Sequence, residues 1–491
     1  MFRNVSKLDG SAFDSRPGWL GQAFHWYWYS RSSQRGILEK RFMSAESNTP
    51  FVIARLYEEF FERGLKYFFP FATFEPLGSS PDSHIDAAGA NAQISTVSLE
   101  WLGFQYAFKN RTAFTESELR MLKSVNTVLT SRYRMLRDAD RSALDVERFS
   151  GAPEDRYVSA FLDQRPYTHE SWTGRDRIAD AIEVLRTSAL TTYENRRIST
   201  GALLFGTAPD PCHDLPECPP GALRYSSALT PIRSFHRLSD GSKTLALVDQ
   251  SGYLVDVIDV EHWSKPFLTS PFPVPSAARY QAHSRATLCG GHICLILTST
   301  GEMKIFADGV QVFRFLDGRW RITDAVEKYR LWNESLGNSR LAEVLFVTAL
   351  NLAEDRRGGL LVVLDDPKAT SQLISASDLL TSTPTHDHTQ GRGSKDQFHY
   401  LLRDKRILDL PTSILETVGH IDGALVLDKD SNLLAFGAIL HYPDLADVHP
   451  GNIEGGRAAA AIAASRFGRA LKISEDGLIS FYQNGSHIWD M

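Results

Sequence analysis

Four charged residues near the C-terminal end have the types and spacing that chemistry on a phosphate ester needs. Asp422 lies in His420-Ile421-Asp422-Gly423-Ala424, Arg457 in Gly455-Gly456-Arg457, and Glu475 and Asp476 in Ile473-Ser474-Glu475-Asp476-Gly477. A carboxylate at the mouth of a strand can hold a divalent metal or orient a sugar hydroxyl, and Gly423 lets a ligand approach the backbone closely. A glycine turn at a helix start leaves N–H groups without partners and aims the positive end of the helix dipole outward, which suits phosphate. The guanidinium of Arg457 can grip two phosphate oxygens.

Two other clusters carry ligand-type side chains. Cys212, His213 and Cys218 lie in a proline-rich segment, and Cys289, His292 and Cys294 lie some eighty residues on. Together they could ligate zinc, but neither has the tight spacing of a zinc knuckle, so buried free thiols rather than zinc are expected. His386 and His388 fall in the polar stretch Thr381 to Gln397, which reads as a loop with no third ligand beside them.

The elements that must position the C-terminal residues follow from periodicity. Leu341, Val344, Leu345, Thr348 and Leu352 mark an amphipathic helix that ends at Arg356-Arg357-Gly358-Gly359, where cations and glycine favour termination. Leu360 to Leu364 reads as a central strand, and Gly423 to Leu427 and Leu433 to Leu440 as two more around Asp428 to Asn432. The alanines from Ala458 to Ala464 predict a helix that packs closely on the sheet.

Upstream, Phe51 to Phe69 reads as a helix stopped by Pro70, and the polar stretch Gly78 to Asn91 as a loop. Phe114-Thr115-Glu116-Ser117-Glu118-Leu119 carries a capping box that opens a long helix. That helix resembles the end of a GAF sensory domain, and a plain amphipathic helix is the preferred reading. Gly151 to Glu170 reads as loop, Arg175 to Glu194 as helix and Gly201 to Gly206 as a buried strand. From Phe235 to Ile322, short strands separated by Ser299-Thr300-Gly301, Asp308-Gly309 and Asp317-Gly318 predict an antiparallel meander. The aromatic-rich stretch from Trp19 to Tyr29 reads as core packing. The expected organisation is an N-terminal α/β region over 1–208, an antiparallel β-rich region over 226–325, and a nucleotide-binding domain over 335–491. The fold class is α/β, the last domain having a mixed sheet flanked by helices.

At 491 residues, 43% hydrophobic and 23% charged, the chain can bury a sizeable core. A net charge of -6 does not indicate a nucleic-acid-binding surface. No apolar run approaches a membrane span, no signal-peptide core opens the chain, and the four cysteines form no disulfide framework, so a cytoplasmic protein is expected.

Taken in order, the helix and strand from Leu341 to Leu364, Asp422-Gly423-Ala424, the glycine-arginine turn and the Ile473 to Ile479 ending resemble the diadenylate cyclase domain, the nucleotide-binding domain of the DNA-integrity-scanning protein. The resemblance covers about 340 to 487. It implies two domains meeting face to face, each with one ATP and a Mg or Mn ion, and hence a homo-oligomer; two 3′-hydroxyls attack two α-phosphates to make cyclic di-AMP. It implies that Asp422 serves the metal and the attacking hydroxyl, that Asp422, Glu475 and Asp476 hold metal, and that Asp422, Gly423, Ala424, Gly455, Gly456, Arg457, Ser474 and Glu475 line the nucleotide site. Where the family has threonine followed by arginine, histidine and arginine, this chain has Gly456-Arg457-Ala458-Ala459. Losing a hydroxyl, an imidazole and a guanidinium removes charge-assisted hydrogen bonds worth about 1.5–3 kcal/mol each. The resemblance therefore implies a degenerate, sensor-type domain that binds ATP or a cyclic dinucleotide in bacterial signalling or defence. The alternative is an active, divergent diadenylate cyclase.

Overall fold

The computed structural model describes residues 49–77, 96–101, 104–110, 113–137, 151–169, 174–214, 216–380, 395–441 and 455–491. The aromatic stretch from Trp19 to Tyr29, the Gly78 to Asn91 loop, and His386 and His388 lie outside them. The chain divides into two compact units, residues 1–59 and 60–491. In the first, the described residues open helix α1 (Thr49–Phe68), which runs into the second.

In the second unit, the strands β1 (Thr73–Leu77), β2 (Thr96–Trp101) and β3 (Phe104–Lys109) form an antiparallel sheet in the order β1-β3-β2. Phe61 of α1 is fully buried and stacks on Trp101 with ring centroids 5.0 Å apart. Helix α2 (Glu116–Arg137) opens on the reciprocal cap that the sequence predicts: the Glu118 N–H donates to Thr115 Oγ1 at 3.1 Å, and the Thr115 N–H to Glu118 Oε2 at 3.0 Å.

The stretch read as loop from Gly151 holds helix α3 (Pro153–Leu162). Pro153 is pre-set for a first helical turn, Glu154 and Asp155 complement its dipole, and Tyr157, Val158 and Phe161 are buried. Helix α4 (Arg177–Ala189) starts at Asp176, whose carboxylate accepts from the Ala179 N–H, and ends five residues earlier than the periodicity predicts. The residues that follow form a small hairpin of β4 (Thr192–Tyr193) and β5 (Arg196–Arg197), with Glu194 and Asn195 in left-handed conformation at its turn.

A seven-stranded sheet follows, built from β6 (Thr200–Leu204), β7 (Thr244–Val248), β8 (Leu254–Asp259), β9 (Ile293–Leu297), β10 (Met303–Ala307), β11 (Val310–Leu316) and β12 (Arg319–Ile322). Its order is β12-β11-β10-β9-β6-β7-β8. The meander from β9 to β12 is antiparallel as expected, but β6 inserts between β9 and β7 and pairs with β7 in parallel, so the sheet is mixed. Turn chemistry marks hairpins along the chain; it carries no signal for a strand recruited from forty residues upstream.

Helices α5 (Ala325–Leu336) and α6 (Ser339–Glu354) lead into a six-stranded sheet. Its strands are β13 (Gly359–Leu364), β14 (Ala424–Asp428), β15 (Leu433–Ala438), β16 (Gly468–Ile473), β17 (Ile479–Gln483) and β18 (Ser486–Asp490), in the order β15-β14-β13-β16-β17-β18. Only β13 and β14 run parallel. Leu361 and Val363 of β13 face a core with Leu345 and Leu352 of α6, whereas Leu360, Val362 and Leu364 face Ala460, Ala461 and Ala464 of α8 (Gly456–Ser465). Helix cover on both faces explains the unbroken apolar run of β13. Helix α7 (Thr412–Gly419) precedes β14 on the α6 side.

Polar contacts join the two large sheets. The Ala278 N–H donates to Asn351 Oδ1 at 2.8 Å, and Lys304 Nζ, almost fully buried, meets Glu354 Oε1 at 2.6 Å. Arg314 Nη1 donates to the Gly477 carbonyl at 2.9 Å, and Arg356 Nη2 lies 2.9 Å from Glu302 Oε1. Burial opposes charge on Glu302, but Lys304, Arg314 and Arg356 outweigh it and hold the carboxyl below its ordinary range. Among the described residues no helix is long and apolar enough to cross a membrane.

Candidate functional site

The residues singled out near the C-terminus come together at one end of the six-stranded sheet. Because β16 runs antiparallel to β13, with Ile473 opposite Gly359, the turn after β16 reaches the same end as the starts of β13 and β14. Helix α8 begins there too. Arg457 Nη1 lies 3.3 Å from Glu475 Oε1, and Nη2 lies 3.7 Å from Asp422 Oδ1. Asp422 and Glu475 are largely exposed and Arg457 about a third so. Such pairs contribute little stability, on the order of 0–1 kcal/mol each, so they leave the guanidinium available to an incoming anion.

Gly358 shapes the floor. A Cβ there would collide with the Arg457 guanidinium, 2.9 Å from Cζ, and would crowd Glu475 Cγ at 3.2 Å. The glycine expected to end α6 thus makes room for Arg457 instead. The left-handed residue that does end the helix is Arg356, with φ 57°, and the Arg357 N–H closes on the Leu352 carbonyl at 2.8 Å. His420 Nδ1 lies 3.2 Å from the Gly358 carbonyl and ties the approach to β14 to the same floor.

The remaining predicted residues divide by their surroundings. Gly423 has φ 107°, and a Cβ on it would lie 2.6 Å from the Gly437 carbonyl oxygen and 2.8 Å from the Ala438 nitrogen. The close approach it allows is that of strand β15, not of a ligand, and Ala424 is fully buried in the sheet core. Gly455, with φ 89°, and Gly456 both face open space. Ala458 and Ala459 are each only 6% exposed and present no polar group. Ser474 and Asp476 belong to the turn between β16 and β17: the Gly477 N–H bonds the Ser474 carbonyl at 3.0 Å, and the Leu478 N–H bonds Asp476 Oδ1 at 3.2 Å. Burial acts against the Asp476 charge, but hydrogen bonds from Ser474 and the Leu478 N–H, with Lys472 and Arg356 nearby, hold its carboxyl low. Asp476 is thus engaged with its own turn, while Glu475 reaches Arg457.

Asp422, Glu475 and Asp476 do not gather into a three-ligand group. Among the described residues the group of three that does is Asp210, His213 and His292, with ligand-type atoms within 4.8 Å of one another. Asp210 Oδ2 lies 2.8 Å from both His213 Nδ1 and His292 Nε2, and its Oδ1 accepts from the Cys212 N–H at 2.8 Å. The two histidines from the separate sequence clusters therefore meet, whereas the cysteines divide: Cys212 and Cys218 are exposed, Cys289 is half-buried, and Cys294 is buried in β9. Only Cys294 fits the expectation of a buried free thiol. Asp210 was missed in the sequence; the signal was its place three residues before His213, where an Asx turn folds the two together.

No protein-family model matches the chain, and no curated protein matches it. Among solved structures, 30% of the chain is similar to a hypothetical membrane spanning protein from Bacillus cereus, at 21% identity and a TM-score of 0.21; the match spans 61% of that protein's chain. The chain is also similar, again over 30% of its length, to a double cysteine mutant of DacA from Staphylococcus aureus, a diadenylate cyclase, at 18% identity and a TM-score of 0.19, spanning 85% of that chain. Both likenesses are weak.

Proposed function

We propose that the six-stranded unit binds a nucleotide at the start of α8 and reports its presence rather than turning it over. The observation that carries this reading is the convergence of four separate chain segments, through Gly358, Asp422, Arg457 and Glu475, around one guanidinium. Arg457 and the first N–H groups of α8 would meet phosphate oxygens, and Asp422 and Glu475 would hold a Mg or Mn ion that the nucleotide brings. With two carboxylates against one guanidinium, a metal-nucleotide complex suits the site better than a bare phosphate.

Binding without turnover follows from what surrounds Arg457. Phosphoryl chemistry rests on several charges fixed against the developing negative charge. Here Gly456 offers no side chain, and Ala458 and Ala459 are buried methyls. ATP and cyclic dinucleotides are the candidate ligands.

The test is thermal unfolding of the full-length protein with ATP, cyclic di-AMP and other nucleotides, with and without Mg²⁺ or Mn²⁺, and mass spectrometry of the mixture. The reading expects a rise in Tm with at least one nucleotide, no new dinucleotide, and loss of the rise in Arg457→Glu. No shift with any nucleotide would sink it. A newly made dinucleotide, abolished by Asp422→Asn, would replace it with a working cyclase.

A further inference from the structure

The parallel pair β6 and β7 ends on a polar cavity of about 240 Å³. Thr207 follows β6, Gln250 and Ser251 follow β7, and Arg177 at the start of α4 and Arg165 complete the wall. In open α/β sheets the crevice outside the carboxyl ends of parallel strands is where ligands are received. Arg177 Nη1 donates to the Phe205 carbonyl and, at 3.2 Å, to the Asp249 carbonyl, so one guanidinium bridges the two strand ends. The Gln250 side-chain amide closes the same end by donating to the Gly206 carbonyl at 2.6 Å.

The cavity wall holds a charge that the protein leaves without a carboxylate contact. Among the described residues, Nε and Nη2 of Arg177 meet no acceptor, and Nη1 meets only the two carbonyls. The nearby carboxylates are engaged elsewhere. Asp163 takes the Arg165 backbone N–H at 3.0 Å and its guanidinium at 2.9 and 2.6 Å. Asp176 is buried and accepts from Tyr167, from Ser159 at 2.5 Å and from the Ala179 N–H at 3.0 Å, with Arg156 Nη1 3.3 Å away. Asp249 uses its carboxylate on its own turn, taking the Ser251 and Tyr253 N–H groups at 2.9 and 2.8 Å. Burial therefore dominates at Arg177 and, with Arg165 adding to it, lowers the guanidinium to about 10, although Asp163, Asp249 and Asp176 pull the other way. Burying a charge is costly unless it is paired, and the partner that this cavity lacks is an anion.

We propose that this cavity binds a phosphate group, with Arg177 as its cation and the Thr207 and Ser251 hydroxyls as further donors. A guanidinium presents its free N–H groups as a planar fork that matches two phosphate oxygens. Hydroxyls on two different loops can then serve the remaining oxygens, which a carboxylate ligand does not have. At about 240 Å³ the cavity falls below the roughly 300–1,000 Å³ of pockets for drug-sized ligands. The phosphate is therefore inorganic phosphate or the head of a small phosphomonoester. The site stands on the seven-stranded sheet and shares no residue with the one around Arg457.

The test is isothermal titration of the full-length protein with inorganic phosphate and with glycerol phosphate, at constant ionic strength and with acetate as the control anion. The wild type should bind at least one of the two phosphates and bind acetate more weakly. Arg457→Glu should bind as the wild type does, which separates this site from the nucleotide-site candidate. Tighter binding of glycerol phosphate identifies the ligand as an ester, and tighter binding of inorganic phosphate identifies it as the free ion. Arg177→Gln should abolish binding. Ser251→Glu, at an exposed loop position, sets a carboxylate against the cavity and should weaken binding about tenfold or more while unfolding at the wild-type temperature in chloride. That variant decides the matter if Arg177→Gln does not fold. Wild-type protein that binds neither phosphate overturns the proposal, as does acetate binding as tight as phosphate. So does wild-type affinity in folded Ser251→Glu or Arg177→Gln, or binding lost in Arg457→Glu.

Discussion

Replacing Gly423, Gly455 and Gly456 one at a time by alanine separates three roles that look identical in the sequence. At Gly423 two costs add. A non-glycine residue held at φ 107° carries strain of about 1–3 kcal/mol. The new Cβ would also stand 2.6 and 2.8 Å from backbone atoms of Gly437 and Ala438, which cannot retreat without opening the pairing of Ala424 with Ala438. With about 1–3 kcal/mol for the overpacking added, the sum is about 2–6 kcal/mol, a large part of the 5–15 kcal/mol that a domain of ordinary stability has. Gly455→Ala meets nothing within 4 Å, so only the strain at φ 89° remains, about 1–3 kcal/mol. Gly456→Ala has neither penalty and should stabilise by about 0.4–1 kcal/mol through the reduced entropy of the unfolded chain. Urea unfolding of the three full-length variants gives the order, and amide hydrogen exchange over β14 and β15 locates the damage. Gly423→Ala with wild-type stability and wild-type exchange in those strands would refute the packing argument.

Other outcomes follow from charge and capping. Burial pushes His283 down to about 4 from an ordinary 6.5, and its Nε2 donates to the Gly241 carbonyl at 3.1 Å. The folded state holds the neutral ring while the unfolded chain binds a proton first. Stability should therefore be complete above about pH 6.5 and fall by about 3 kcal/mol on the way to pH 4; His283→Gln should flatten that slope in urea titrations across the window. Lys304→Met leaves Glu354 without its buried cation while Glu302 keeps Arg314 and Arg356, and should cost about 3 kcal/mol in the same assay. Thr115→Ala removes one half of the α2 cap and should cost about 1 kcal/mol.

The parts of this fold legible in the sequence are those whose signal is local. The Thr115 and Glu118 box, the β9 to β12 hairpins with their glycine turns, and the apolar run of β13 are decided by residues within a few positions of one another. The charged cluster was legible for the same reason: each of Asp422, Arg457 and Glu475 lies at the boundary of an element whose period is clear. What could not be read is set by partners distant in the chain. The parallel pairing of β6 with β7, the reservation of Gly358 for Arg457, and the meeting of His213 with His292 depend on tertiary packing. Gly423 shows how one glycine admits two readings, because an absent side chain looks the same whether a ligand or a neighbouring strand takes the space.

The contacts between the two large sheets bear on how this chain can be divided. Arg314 belongs to β11, yet its hydrogen bond ends on the turn that carries Glu475, and Arg356 at the end of α6 neutralises Glu302 from the other sheet. A cut before Ala325 would strip the Glu475 turn of its anchor and leave Glu354 and Arg356 facing solvent where Lys304 and Glu302 had been. The nucleotide-site candidate is therefore not a portable cassette. Its geometry is held from outside its own sheet, so a swap into another protein would have to carry β10 and β11 along with it.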